Sequence, residues 1–142
     1  MKLIIFCDGG ARGNPGPAAG AFVVYNDAGN LREKRGKYLG ETTNNVAEYQ
    51  AVIMALEWLV QNPAEADFRL DSNLVVNQLN GTFKVKDAKL RELLLKVREL
   101  EAKVVLPLTY SYVPREKNMV ADALVNQTLD NSVKLKGGTS RH

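Results

Sequence analysis

Near the start of the chain a run of apolar residues, Leu3-Ile4-Ile5-Phe6-Cys7, stops on an acid, Asp8, followed by Gly9 and Gly10. Side chains that are apolar on both sides of a strand need cover on both sides, so the run predicts a central strand inside a layered fold. The remaining pattern supplies the layers. Gly20–Tyr25 reads as a second strand after the glycine- and proline-rich stretch 8–17, and residues 26–30 supply a turn. Residues 31–38 read as a third strand, whose charges at Arg32, Glu33, Lys34, Arg35 and Lys37 suit a sheet edge.

Helical spacing then takes over. Residues 43–61 carry Val46, Tyr49, Val52, Ile53, Leu56, Leu59 and Val60 on one broad face, and Pro63 follows. A short strand ends at Asp71, a helix at 74–79 is interrupted by Asn80-Gly81, and a longer helix opens on Asp87 as N-cap. Val104–Val113 reads as a strand broken early by Pro107, with a final helix over 119–130. The order β-β-β-α-β-α-α-β-α predicts an α/β fold with a five-stranded mixed sheet flanked by helices. Its first three strands are antiparallel, and the strands reached through helices are parallel. At 142 residues one domain is expected, over residues 1–130, with 131–142 a polar tail for which disorder or an added strand at 133–135 are the alternatives.

Four acids sit where a carboxylate contributes least to folding. Asp8 and Asp71 end apolar strands, while Glu48 and Asp122 lie in the first turns of helices. Taken singly, most have a structural explanation: Asn45 to Glu48 has capping-box spacing, Asp71 could cap a helix, and Asp122 could favour a helix dipole. Asp8, before two glycines, has none as good. Gathered together, the four would repel one another unless a cation neutralised them, and magnesium takes oxygen ligands from carboxylates and phosphates. The pattern points to metal-dependent chemistry on a phosphodiester.

Composition narrows the setting. A net charge of +3 leans weakly towards a polyanionic partner. The single cysteine, Cys7, excludes an internal disulfide and reads as a small buried hydrophobe. No stretch is apolar enough to span a membrane, and the N-terminus meets Asp8 too early for a secretory signal, so a cytoplasmic protein is expected.

The acids lie in four ordered motifs: Asp8-Gly9-Gly10-Ala11-Arg12-Gly13-Asn14-Pro15-Gly16-Pro17, Thr42-Thr43-Asn44-Asn45-Val46-Ala47-Glu48-Tyr49, Asp71-Ser72-Asn73-Leu74-Val75-Val76, and Val113 to Asp122. Together these resemble the motifs of type 1 ribonucleases H, over about residues 1–130. The resemblance implies a ribonuclease H-like fold and metal-dependent endonucleolytic cleavage of the RNA strand of RNA–DNA hybrids, leaving 3′-hydroxyl and 5′-phosphate ends. It implies two Mg²⁺ ions, for which Mn²⁺ can substitute, held by Asp8, Glu48, Asp71 and Asp122. Asp8 would bridge the ions, with Glu48 and Asp71 on one and Asp122 on the other. Substrate contacts carry over to Gly9, Gly10, Arg12, Asn14, Thr43, Asn44, Asn45, Ser72 and Asn73. The partner is the hybrid, with no membrane or obligatory protein partner, and a monomer is expected. A non-catalytic hybrid-binding module and a nuclease for double-stranded RNA or DNA are the competing readings.

Two departures from the family stand out. Many bacterial members carry a basic, Trp-containing insertion where this chain has only residues 80–86, with Lys84 and Lys86. Lys89 and Arg91 are further candidates for phosphate contacts, with solvated surface as the default for all of them. Those members also place a histidine in the loop before the last acid. The loop Pro114-Arg115-Glu116-Lys117-Asn118 has none, and the sole histidine is the terminal His142. Glu116 and Lys117 are the substitutes this reading offers.

Overall fold

A computed structural model describes residues 2–140, with side chains through residue 133. Strands β1 (Lys2–Ala11), β2 (Gly16–Tyr25) and β3 (Leu31–Thr42) form an antiparallel meander. Helix α1 (Asn44–Gln61), β4 (Glu65–Leu70), α2 (Asn73–Leu79), α3 (Ala88–Val104), β5 (Leu108–Tyr112), a 3₁₀ turn (Arg115–Lys117) and α4 (Met119–Ser140) follow. The sheet order is β3-β2-β1-β4-β5, with β4 parallel to β1 and β5 parallel to β4. The five-stranded mixed sheet flanked by helices is the one the sequence predicts.

Several elements end elsewhere than the pattern predicts. β1 does not stop at residue 7, because Asp8, Gly9, Gly10 and Ala11 stay in register with Ala21, Gly20, Ala19 and Ala18 of β2. Those small partners keep the ladder going where glycines alone suggested a loop. α3 absorbs Val104, which continues the buried stripe Leu93, Val97 and Leu100, so β5 starts only at Leu108. Asp87 caps α3 as expected, its Oδ1 accepting from the Leu90 N–H at 2.9 Å. α4 runs past residue 130 to Ser140, so residues 133–135 are helical rather than an added strand. His142 lies outside the described residues.

Alternation along β1 divides the molecule into two layers. Leu3, Ile5 and Cys7 face α1 and α3 and are buried with Val52, Leu56, Phe68 and Val97. On the opposite face α4 packs chiefly on β2 and β3, where Ala19 and Ala21 meet Val125 and Leu129. Cover on that face is thinner over β1, and Phe6 is only half-buried. Its ring meets the edge of Tyr25 at 5.9 Å, and the Arg69 guanidinium lies 5.8 Å from its centroid. Cys7 is fully buried. Trp58 packs half-buried against the core, 6.4 Å from the Phe22 ring. No helix among the described residues is long and apolar enough to cross a membrane.

Candidate active site

The four acids ride on four elements that converge at one end of the sheet. β1 and β4 pair in parallel with Cys7 opposite Leu70, so Asp8 and Asp71 follow side by side at the same level of adjacent strands. Glu48 reaches them from the second turn of α1. Its approach depends on Gly9, because a Cβ at that position would collide with the Ala47 and Glu48 backbone. Asp122 enters from the first turn of α4, which Asn126 steadies by donating from Nδ2 to the Asp122 carbonyl at 3.2 Å.

None of these acids serves as a helix cap. Thr43 caps α1, its Oγ1 accepting from the Val46 N–H at 3.2 Å, and Asn45 lies within the helix. Ser72 caps α2 through the Val75 N–H at 3.3 Å, leaving Asp71 outside that task. The capping-box and Asp71-cap explanations therefore do not describe this fold.

Single carboxylate oxygens of Asp8, Glu48 and Asp71 lie within 4.8 Å of one another. Asp8 and Glu48 are each only 6% exposed, and Glu48 Oε2 is buried with no hydrogen-bond partner. Burial raises the Asp8 carboxyl to about 7, with the nearby charges of Asp71 and Asp122 adding to the rise. Burial, then Asp8 and Asp71, holds the Glu48 carboxyl well above the usual carboxylate range. Burial, Glu48 and Asp8 together push the Cys7 thiol up, consistent with an inert side chain. Clustered oxygen donors, an unpartnered buried oxygen and an electrostatic penalty on ionisation fit a divalent cation, which would relieve all three. These residues form a donor set able to bind metal.

An open groove of about 410 Å³ spreads over the acids. Gly9, Gly10, Asn44, Asn45 and Ser72 line it with Asp8, Glu48, Asp71 and Asp122, as do Ala11, Arg115, Val125 and Asn126. Asn14, Thr43 and Asn73 do not line it. Asn14 Oδ1 accepts from the Asn44 N–H at 3.0 Å, and Asn44 Oδ1 accepts from the Ala11 N–H at 2.8 Å, which ties the β1–β2 connection to the start of α1. Asn73 accepts from the Asn77 side chain on the surface of α2. Arg12 turns away to α4, where it pairs with Asp130 at 2.7 Å.

Of the residues absent from the sequence-based site that are drawn in, Arg115 and Asn118 bear most on its chemistry. Arg115, rather than Glu116 or Lys117, faces the groove from the 3₁₀ turn, and Lys117 lines a separate hollow beside Phe6 and Tyr25. Asn118 is buried beneath the acids. Only its place four residues before Asp122 could have signalled it.

Residues 6–128 match the protein family described as "Reverse transcriptase-like". Bifunctional protein Rv2228c of Mycobacterium tuberculosis is 42% identical over 132 residues, covering 92% of this chain but 36% of that protein. Ribonuclease HI of Halobacterium salinarum is 40% identical over 138 residues, covering 92% of this chain and 66% of the relative. The chain thus spans less than two thirds of the length of these curated relatives. In structure it is similar to LC11-RNase H1, solved in complex with an RNA/DNA hybrid. The TM-score is 0.89 at 43% identity, over 92% of this chain and 99% of that one.

Proposed function

The chain belongs to the ribonuclease H family, type 1, and from that premise we propose that it cleaves the RNA strand of RNA–DNA hybrids by metal-dependent hydrolysis, leaving 3′-hydroxyl and 5′-phosphate ends. The observation that carries this reading is the approach of Asp8, Glu48 and Asp71 within 4.8 Å at the floor of an open groove. Asp8, Glu48, Asp71 and Asp122 would hold two Mg²⁺ ions, with Mn²⁺ as a substitute. When bound, such ions supply activation of the attacking water and stabilisation of the leaving oxygen.

The protein's own groups set the frame for that chemistry. The sheet end and α1 hold the first three acids before substrate arrives, so little reorganisation is needed at the moment of reaction. Gly9 and Gly10, without side chains, let a nucleic-acid backbone come close to β1. Asn44, Asn45 and Ser72 offer polar contacts along the groove, where ribose hydroxyls displayed in the minor groove can be read. Asn14, through the Asn44 N–H, and Thr43, as the cap of α1, brace the Asn44–Asn45 part of that rim, while Asn73 is exposed on α2 for a contact beyond the groove. Arg12 meets the hybrid only by leaving Asp130, an exposed pair of the kind that contributes little to stability. Arg115 is the basic residue among those lining the groove and would offset negative charge building on the phosphate.

Incubation of labelled RNA–DNA hybrid, double-stranded RNA and double-stranded DNA with the protein and Mg²⁺ or Mn²⁺ tests the assignment. RNA cut only in the hybrid is the expected result; no cleavage by folded protein with either ion would sink it. Arg115→Ala is expected to lower kcat roughly 10²-fold, at the low end of what one donor to a developing anion provides. Lys117→Ala should leave kcat within about twofold, as suits a residue outside the groove. Equal losses in the two variants would remove Arg115 from the proposed role.

A further inference from the structure

Asn118 sits between the 3₁₀ turn and α4 and is 1% exposed, whereas its neighbour Met119 is 66% exposed. Its Nδ2 donates to the Cys7 carbonyl at 2.9 Å and to Asp71 Oδ2 at 3.2 Å. Its backbone carbonyl accepts from the Asp122 N–H at 3.1 Å. One residue therefore touches the strand that carries the first acid, the carboxylate of the third, and the helical turn that carries the fourth.

Its other side-chain atom shows what the arrangement favours. An asparagine at the start of a helix ordinarily turns its Oδ1 onto the free N–H groups of the first turn. Here Oδ1 is buried and has no partner. A buried acceptor left unpaired is destabilising, so the amide group is oriented against its own local interest. What that orientation secures is the pair of bonds from Nδ2, both directed at the acid cluster.

We propose that Asn118 is a positioning residue for the metal-binding acids: its Nδ2 locks Asp71 against the end of β1, occupying one carboxylate oxygen and leaving the other for a cation. The role rests on the cation-binding reading of the cluster. Hydrogen-bonded partners behind a ligand commonly tune metal affinity by about 10–100-fold. Asn118→Ala should therefore raise the Mg²⁺ concentration for half-saturation about tenfold, measured by calorimetry without substrate. The KM for hybrid should stay within about twofold, because the side chain lies beneath the groove. Asn118→Asp, nearly the same shape but unable to donate from an amide, should lose at least as much.

A measurement on the unaltered protein complements the variants. The two side-chain amide proton signals of Asn118 should move during a Mg²⁺ titration, with the half-saturation seen by calorimetry. Signals that stay fixed while Mg²⁺ binds would overturn the role of Asn118, as would folded variants that bind Mg²⁺ like the parent. Absence of Mg²⁺ binding by the parent would instead overturn the underlying cation site, and this role with it.

Discussion

Asp8→Asn is expected to lower kcat for hybrid cleavage by on the order of 10³-fold or more while making the cation-free protein more stable at pH 8. Both effects come from the same buried charge. Asp8 would be one of the acids that hold the proposed cations, so its loss would weaken their binding. In the absence of cations that carboxylate is a burden, because its folded-state pKa is about 7 against an ordinary 3.8. A raised acid pKa means the fold favours the protonated form. Its contribution to stability is complete below the unfolded value and is lost as pH rises through about 7. A shift of about three units corresponds to an upper figure of roughly 4 kcal/mol. Glu48, shifted in the same direction, adds to the trend.

Thermal melts in a chelator should therefore show the parent losing several degrees between pH 4 and pH 8, with a flatter profile for Asp8→Asn. Added Mg²⁺ should recover the parent's midpoint at pH 8 and do less at pH 5, where protons already neutralise Asp8 and Glu48. A parent whose chelated midpoint does not fall over that range would contradict the electrostatic account, whatever the cleavage assay gives.

Gly9→Ala should combine a stability loss of about 1–3 kcal/mol with a fall in kcat of roughly 10²-fold. The added methyl group has nowhere to go, since it would meet the backbone of Ala47 and Glu48 rather than a flexible side-chain tip. Relief requires α1 to move off β1, and Glu48 moves with it. Displacement of a catalytic group by about an ångström is enough for a loss of that size. A methyl at Gly10 meets only Val125 Cγ1 at 3.8 Å, an ordinary contact. Gly10→Ala is thus the matched control for stability, expected within about 0.5 kcal/mol of the parent. Equal chemical-denaturation midpoints for the two variants would show that close approach of α1 is not the reason for Gly9.

The acids were legible in the sequence because they break a pattern: Asp8 ends an apolar run, and Glu48 interrupts an apolar helical face. The mixed sheet was legible for a related reason, since periodicity changes cleanly from strand to helix after β3. Features that depend on small residues were hidden. Gly9 and Gly10 read as a loop, although alanine and glycine partners across the ladder hold them in β1. Asn118 is a polar residue in a polar loop, and nothing in its neighbours foretells 1% exposure. Arg115, Glu116 and Lys117 are consecutive charges, and only the turn of the 3₁₀ segment decides which of them meets the groove.

The side-by-side exit of Asp8 and Asp71 has a consequence for tolerance to change. Their separation derives from the spacing of hydrogen-bonded strands, about 4.8 Å in any sheet, and not from the length or sequence of the chain that joins them. The loops that join β1, β2, β3, α1 and β4 can lengthen or shorten while that span stays the same. The Asp8–Asp71 span of the proposed cation site is in that respect a constant borrowed from the peptide backbone.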